Sequence, residues 1–286
     1  MELKIVASRE GRLSSFLRGE LKMSASLMNK LKWGDAIRVN DIPQHTDFAV
    51  KNGDTVTVRL DEPKPEYPAQ QGALHILYED DHILVVDKPA GMLVHPSRSQ
   101  FRDTLANYVA GHYEKTDQQS AFHPVTRLDR DTFGIVLLAK NAHIHQLFQK
   151  IKVEKIYHAL TLGAWECEYG VIDAPIARKP LPSLLREISI AGKPSVTEYR
   201  VLEFRDGCTW VALRPVTGRT HQLRLHCQHM GHPILGDPQY ATENSKAVSA
   251  EMGLSYQLLC AKSLRFSHPI TDEPIFLESH MDVIAK

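Results

Sequence analysis

No apolar run in this sequence approaches the ~20 residues that a membrane-spanning helix requires. The first five residues, Met-Glu-Leu-Lys-Ile, lack the basic and apolar regions of a secretion signal. The four cysteines are far apart and include no Cys-x-x-Cys pair, which argues against a zinc ribbon or a disulfide framework. These absences predict a soluble cytoplasmic protein. A chain of 286 residues that is 43% hydrophobic can bury a full core.

The chain also lacks an excess of either charge, with 34 basic and 34 acidic residues. The net positive charge that is typical of nucleic-acid-binding proteins is therefore absent overall. Residues 1–40 differ, because eight basic and four acidic side chains give them a local charge of +4. Such a segment can hold RNA phosphates, and it can equally be a solvated surface.

The first 60 residues have the pattern of a small folded unit. One short helix is predicted from Arg12, a second is predicted to begin after the capping residue Ser24, and strands are predicted at residues 36–40 and 55–60. Residues 61–72 contain three prolines and little that is apolar, which is typical of a stiff linker. The sequence therefore predicts a small α/β domain, a linker and a larger domain, at residues 1–62, 63–72 and 73–286.

The larger domain mixes strands and helices without regular alternation. Apolar and alternating segments predict strands at residues 83–87, 135–140, 155–163, 196–204, 208–216, 259–266 and 275–279. Helical spacing places Ile144, Leu147, Phe148 and Ile151 on one face, and Leu223, Cys227 and Met230 on another. We therefore expect an α+β fold with a largely antiparallel, mixed central sheet and flanking helices.

One carboxylate stands out in the segment from His123 to Asn141. Asp129 lies between Arg127 and Arg130 on a polar turn that leads into an apolar strand. A buried strand would hold the turn rigid, and nearby guanidinium groups favour the ionised carboxylate. Asp129 is therefore better suited to act as a nucleophile or base than as an acid. Aspartates and arginines in turns are more often simply solvated, so the spacing alone favours no single interpretation.

Four ordered segments, Tyr78–Pro96, Arg127–Gly134, Glu154–Ala159 and Arg214–Asp237, together resemble one family. The resemblance is to the RluA family of pseudouridine synthases, which implies an RNA-modifying isomerase with the α+β fold described above. Two residues depart from the family pattern: Thr126 stands where many members carry His, and Phe133 where Ser is common. Both lie outside the Arg-Leu-Asp core, so they bear on substrate fit.

The resemblance implies an enzyme that detaches a uracil, rotates it and rejoins it through carbon, without cofactor or metal. RNA, ribosomal or transfer, is the expected partner, and we expect a monomer. The family match implies that Asp129 is the nucleophile or base, that Tyr157 stacks on the base, and that Arg219 pairs with Asp129. The route that Asp129 takes stays open. Predicted substrate-binding residues are Arg127, Arg130, Thr132 and Leu223. Residues 1–62 resemble the αL RNA-binding motif.

Other features of the sequence bear on the same site. On the strand at residues 155–163, Tyr157 lies outside the apolar stripe of alternate residues from Ile156 to Leu162 and is free to face a cleft. Arg219 lies near a predicted helix start, which suits an anion. The basic segment from Arg178 to Lys193 is interpreted as a mobile RNA-gripping loop, or else as a plain surface loop.

Three alternatives are open. A metal-dependent hydrolase is suggested by the ligand types of His221, His226, His229, His232 and Asp237, although no zinc-protease spacing is present. A phosphotransferase is suggested by Asp129-Arg-Asp-Thr, which is one residue shorter than an Asp-x-Asp-x-Thr loop. An RNA-binding protein without catalysis would explain residues 1–60 but leave the larger domain without a role.

Overall fold

The structure is a computed structural model and describes residues 2–62, 67–180, 182–183 and 185–284. The first part has a sheet and a core of its own. Its elements are β1 (Glu2–Val6), β2 (Gly11–Arg12), α1 (Leu13–Gly19), α2 (Ala25–Leu31), β3 (Ile37–Val39), β4 (Ile42–Pro43), β5 (Ala49–Val50) and β6 (Thr55–Arg59). Four strands pair in the order β1-β6-β3-β4, and α1 and α2 contribute Phe16, Leu17 and Met28 to the core.

Both predicted helices of this first part are present. The hydroxyl of Ser24 accepts a hydrogen bond from the Leu27 backbone N–H, which caps α2 as the sequence predicts. The predicted strands correspond to β3 and β6. Strand β1 was not predicted, although its residues Leu3 and Ile5 pack on this core.

The larger part is built on one wide sheet. Its elements are β7 (His75–Glu79), β8 (Ile83–Lys88), α3 (Leu105–Lys115), β9 (His123–Pro124), β10 (Phe133–Ala139), α4 (Ala142–Leu147), β11 (Glu154–Leu162), β12 (Tyr169–Asp173), β13 (Ile176–Arg178), β14 (Arg186–Ile188), β15 (Val196–Arg205), β16 (Cys208–Pro215), α5 (Gln222–His229), α6 (Glu243–Glu251), β17 (Leu259–Ser267) and β18 (Pro274–Glu278). The sheet has ten strands, eight of which follow the order β12-β15-β16-β11-β17-β10-β8-β7. Strand β18 pairs with β17, and β9 pairs with β10.

Strand direction in this sheet confirms the predicted fold class. Strand β10 runs parallel to β17, whereas the other described neighbours in the wide sheet are antiparallel. The parallel contact is close, because a Cβ on Gly134 would lie only 2.4 Å from the backbone oxygen of Ala261. Gly134 also has a φ of +102°, which glycine adopts without strain. The turn that carries Asp129 thus enters β10 at a fixed position.

The predicted linker at residues 63–72 is only partly within the described structure, since residues 63–66 lie outside it. The rest of this segment lies on α3. Asn107 on α3 donates a side-chain hydrogen bond to the Pro68 carbonyl (2.8 Å), and its own carbonyl accepts from the Gln70 backbone N–H (2.9 Å). Gly72 allows a close approach to Tyr108. The segment from Pro68 to Gly72 is therefore bound to the larger part and does not span a gap.

The two parts contact each other at α4 and at the turn between β17 and β18. His143 Nε2 lies 2.8 Å from the Leu21 carbonyl, and Lys22 Nζ lies 2.7 Å from Asp272 Oδ1. Glu62 accepts from the backbone N–H of Ala142 (2.7 Å).

Helix ends differ from the sequence prediction in two places. Helix α4 ends at Leu147, so Ile151 packs on the same core from the loop beyond it. Helix α5 ends at His229, and Met230 is exposed, while Gly231 follows with a φ of +83°. Among the described residues, no helix is long and apolar enough to cross a membrane.

Candidate active site

A cavity of about 510 Å³ opens where the loop before β10, the start of β11 and the loop before α5 meet. This volume lies within the range of small-ligand sites, roughly 300–1,000 Å³. Six of the seven predicted site residues line it: Arg127, Asp129, Thr132, Tyr157, Arg219 and Leu223. The seventh, Arg130, is exposed and turned away, because its guanidinium donates to Asp131 (3.1 Å). The structure thus brings predicted residues from three separate sequence segments to one place.

A buried lysine holds the loop that carries Asp129. Lys88 lies at the end of β8 with no exposed surface, and its Nζ donates to the carbonyls of Pro89 (2.9 Å), Met92 (2.8 Å) and Arg130 (3.0 Å). Burial lowers the pKa of Lys88 to about 7, against an opposing effect of nearby carboxylates. The contact with the Arg130 carbonyl fixes the backbone immediately after Asp129.

Asp129 is bound to a buried arginine on α5. Arg224 Nη1 donates to Asp129 Oδ2 (2.9 Å), while its Nε and Nη2 each donate to one oxygen of Asp237 (2.7 Å both). The side chains of Arg224 and Asp237 are 4% and 1% exposed, whereas that of Asp129 is 31% exposed, toward the cavity. Burial favours the neutral guanidine, but the Asp237 hydrogen bonds and the two carboxylate charges outweigh it and raise the pKa of Arg224. Two carboxylates therefore share one permanent cation.

The predicted pairing of Arg219 with Asp129 is wrong, because Arg224 occupies that position. Helix α5 begins only at Gln222, so Arg219 lies on the preceding loop. Its backbone N–H donates to Gln222 Oε1 (3.0 Å), and its exposed Nε donates to the Pro194 carbonyl (3.2 Å). Arg219 stays at the cavity rim, where it lines the opening.

Tyr157 reaches the cavity from β11 and is buried. The predicted apolar stripe is not the more buried face of this strand: Tyr157, Ala159 and Thr161 are buried, whereas on the stripe Leu160 is buried and the rest are half-buried. The β11–β17 register also shifts between Ile156 and Tyr157. Burial, and then the negative charge of Asp129, raise the pKa of Tyr157, so its phenol stays protonated.

The remaining lining residues define the walls. Thr132 is buried and accepts a hydrogen bond from Gln257 Nε2 (2.6 Å), which holds the loop end, and Leu223 contributes an apolar surface from α5. Arg127 is exposed at the mouth. Lys155, two residues before Tyr157, also lines the cavity, and burial lowers its pKa.

The histidines that suggested a metal site have separate hydrogen-bond partners. His226 contacts the Thr197 hydroxyl and the Ala174 carbonyl, whereas His232 contacts the Leu162 carbonyl. Asp237 is bound by Arg224. Within the part of the chain that the structure describes, no group of three or more His, Cys, Asp or Glu side chains is placed to hold a metal ion.

Sequence reasoning missed Arg224, Asp237 and Lys88. The sequence does contain a signal for Arg224, because it stands between Leu223 and Leu225, and all three side chains are buried in α5. A charged residue in a buried position requires a partner, which points to a carboxylate elsewhere. The sequence does not say which carboxylate, because Asp129 is 95 residues away.

The fold and the enclosed carboxylate define an α+β enzyme with a polar cavity at the sheet. A family model described as RNA pseudouridylate synthase matches residues 82–229, which include Asp129, Tyr157 and Arg224. The chain belongs to the RluA family of RNA pseudouridine synthases, and it is an isomerase that acts on RNA.

Relatives match over nearly the full length. A protein named ribosomal large subunit pseudouridine synthase C from Vibrio cholerae is 33% identical, with 95% of this chain and 91% of that protein covered. An uncharacterized RNA pseudouridine synthase of Bacillus subtilis is 34% identical, with 89% and 90% covered. The solved structure of human RNA pseudouridylate synthase domain containing 1 superposes with a TM-score of 0.60 at 26% identity, covering 76% of this chain and 93% of that one.

Proposed function

We propose that Asp129 is the catalytic carboxylate of this pseudouridine synthase. One observation carries the proposal: the buried Arg224 fixes one oxygen of Asp129, while the carboxylate still faces the cavity. Such a carboxylate is paired with a cation and oriented before substrate arrives, which suits a nucleophile or a base. The pairing leaves open whether Asp129 attacks the ribose, attacks the uracil ring or removes a ribose proton.

The cavity walls suit a uracil that has left its stack. Tyr157 offers a ring for stacking, and its protonated phenol can donate a hydrogen bond or move a proton. Leu223 provides an apolar contact from the α5 side. Arg127, exposed at the cavity mouth, is placed to fill the space that a flipped nucleotide leaves in the RNA. Arg219 at the rim is proposed to contact a phosphate in place of its earlier predicted role.

We propose large-subunit ribosomal RNA as the substrate, because that is what the name of the Vibrio cholerae relative states. The bacterial relatives also favour a cytoplasmic site of action, and we propose a monomer. Residues 1–62 are proposed to form an accessory RNA-binding domain joined through residues 63–72 to the catalytic domain at 73–286. Trp33 supports this role, since it is 77% exposed and Lys32 Nζ lies 5.0 Å from its ring centroid.

The test compares two aspartates on the same loop. Asp129→Asn removes the negative charge but leaves Arg224 bound to Asp237, so the fold should persist. We expect pseudouridine formation to fall by at least about 1,000-fold. Asp131→Asn is the matched control, because the ion pair that Asp131 makes within the described residues is with the exposed Arg130, and this variant should retain most activity. Substantial turnover by Asp129→Asn would overturn the proposal.

The substrate is tested separately. Pseudouridines are mapped across total RNA from cells with and without the gene. Loss of one or more positions from large-subunit ribosomal RNA is expected, whereas loss from transfer RNA alone would contradict the proposed substrate and leave the role of Asp129 untouched.

A further inference from the structure

A short hairpin packs against the back of the candidate active site. Its strands, β13 and β14, pair from Ile176 to Arg178 and from Arg186 to Ile188. Residues 181 and 184 of the predicted RNA-gripping loop lie outside the described structure. Tyr240, which is only 4% exposed, lies in one apolar cluster with Ile176 and Leu225 of α5. The backbone N–H of Arg186 donates to the Tyr240 hydroxyl oxygen (2.9 Å). Tyr240 thus joins the hairpin to the helix that carries Arg224.

The hydroxyl of Tyr240 makes a second contact, with a histidine of the cavity wall. His221 Nδ1 lies 2.8 Å from the Tyr240 oxygen, and His221 Nε2 lies 3.9 Å from Asp129 Oδ1. Burial lowers the pKa of His221 against the opposing charge of Asp129, so the imidazole is neutral and carries one ring proton. The negative oxygen of Asp129 favours that proton on Nε2. Nδ1 then accepts a hydrogen bond from the Tyr240 hydroxyl.

The backbone of His221 is held in an unusual conformation. Its φ of 57° and ψ of 19° are left-handed, which is a strained conformation for a residue with a side chain. His221 is the residue immediately before α5, and its carbonyl accepts from the Leu225 backbone N–H (3.0 Å). Strain of this kind is kept where the surrounding structure requires one orientation of the side chain. Here that orientation aims the ring between Tyr240 and Asp129.

We propose that Tyr240 and His221 together position Asp129: Tyr240 sets the tautomer of His221, and the Nε2–H of His221 attracts Asp129 Oδ1 electrostatically, at a distance beyond hydrogen bonding, while Arg224 holds Oδ2. The proposal rests on the catalytic role of Asp129. The hairpin is connected to His221 through Tyr240. The Arg186 backbone N–H donates to the Tyr240 oxygen, so the hydroxyl hydrogen of Tyr240 is directed toward His221.

The first measurement removes one oxygen atom. Tyr240→Phe keeps the aromatic ring, which lies 5.1 Å from the Arg224 guanidinium carbon, and deletes the hydroxyl. The single-turnover rate at saturating RNA should fall by at least about 10-fold, as expected when a catalytic group loses its orienting partner. RNA affinity and melting temperature should stay close to wild type. Tyr113→Phe is the matched control, because the buried Tyr113 hydroxyl on α3 has no hydrogen-bond partner among the described residues.

The second measurement separates positioning from packing by exchanging the histidine. The amide nitrogen of His221→Gln can take the place of Nε2 and present an N–H toward Asp129 without help from Tyr240. This variant should keep most of the rate, and adding Tyr240→Phe to it should cost nothing further. The amide of His221→Asn lies at the place of Nδ1, so it can contact Tyr240 but not reach Asp129. That variant should be as slow as Tyr240→Phe.

Asp129→Asn, measured beside these variants, separates the inference from the proposed function. Wild-type rates for Tyr240→Phe and His221→Asn, with Asp129→Asn inactive, would overturn the positioning pair and leave Asp129 as the catalytic carboxylate. An additive loss in the doubly substituted His221→Gln, Tyr240→Phe protein would also overturn the pair. An active Asp129→Asn protein would remove both the proposed function and the inference.

Discussion

The two parts of this molecule bury different kinds of side chain. In residues 2–60, fourteen buried apolar residues form the core, and Thr57 is the one buried polar side chain in the described range. Among the described residues of the larger part, five charged side chains are buried: Asp87, Lys88, Lys140, Arg224 and Asp237. Because a buried charge is costly unless it is paired, each of these requires a specific partner. Two of them, Arg224 and Asp237, are paired with each other beside Asp129, and Arg224 lines the cavity of the candidate active site.

The small part keeps its charges at the surface instead. Arg18 and Lys30 are exposed, and so is Trp33. Exposed charges are screened by salt and have little energy of their own, but they attract phosphates. The comparison suggests a division of labour in which residues 1–60 add affinity for RNA and the larger part supplies both binding and reaction.

The largest expected effect on stability comes from breaking the buried ion pairs. Arg224→Gln leaves the Asp237 carboxylate buried without its cation, which destabilises the fold by about 3–5 kcal/mol. The single-turnover rate should fall at least about 100-fold. Arg219→Gln is the matched control, because replacing the exposed Arg219 should lower the free energy of unfolding by less than about 1 kcal/mol. Rates and urea unfolding of both variants are to be measured.

A second variant protects this test against simple unfolding. Arg224→Lys keeps a positive charge near Asp237 but lacks the guanidinium fork. It should fold and yet remain slow, because the ammonium cannot hold both carboxylates as the guanidinium does. Equal losses for Arg219→Gln and Arg224→Gln would contradict the pairing seen in the structure.

The next effect concerns pH and the buried Lys88. Its pKa falls from an ordinary value of 10.5 to about 7 in the folded protein, so between these limits the unfolded chain binds more protons. Lys88 should therefore make the free energy of unfolding rise with pH across this window, by at most about 1.4 kcal/mol per pH unit. This contribution of Lys88 to the free energy of unfolding is lost as the pH falls to 7. Lys88→Met, which cannot titrate, should lack it.

The measurement is urea unfolding of both proteins from pH 7 to pH 9.5. The difference between wild type and Lys88→Met should grow in favour of wild type as pH rises. A difference that stays constant would show that Lys88 titrates at its ordinary value.

The elements of the fold differ in how well the sequence predicts them. The segments that become β8, β10, β11 and β15 to β18 are predictable because their alternating or continuous apolar patterns are local. Helix α6 is not, because its sequence Glu-Asn-Ser-Lys-Ala-Val-Ser-Ala-Glu carries no apolar stripe. Strands β12 to β14 are short, and several of their residues are exposed.

The site follows the same rule. The Asp129 loop and Tyr157 are recognised from short motifs, and the structure brings them to one cavity. The identity of the arginine on Asp129 is not local, since it depends on where α5 begins and on which face it buries. Arg219 is the natural choice from helix-start reasoning, and Arg224 is the residue that the packed helix presents.

A smaller effect is expected from the basic surface of the small part. The triple variant Arg18→Ser, Lys30→Ser, Lys32→Ser removes three positive charges from this surface. RNA binding should weaken several-fold at low salt, and the slope of log affinity against log salt should flatten by at most about 0.7–0.9 per lost phosphate contact. Turnover at saturating RNA should be unchanged. Unaltered binding would make this part a packing or docking element.

Removal of metal ions is expected to have no effect on the rate. The proposed reaction is an isomerisation in which a carboxylate acts without a Lewis acid, so exhaustive dialysis against chelators should leave the rate unchanged. A short stem-loop RNA that folds without divalent ions is the appropriate substrate. Activity that is lost and then restored by zinc or magnesium would favour the metal-dependent alternatives.

The most direct test of the division of labour measures two quantities on two proteins. RNA affinity and the single-turnover rate at saturating RNA are determined for Asp129→Asn and for the triple variant Arg18→Ser, Lys30→Ser, Lys32→Ser. The account predicts opposite outcomes: Asp129→Asn binds RNA with wild-type affinity and does not turn over, whereas the triple variant binds more weakly and turns over at the wild-type rate. Turnover by Asp129→Asn, or a triple variant with full affinity and a slowed rate, would contradict it.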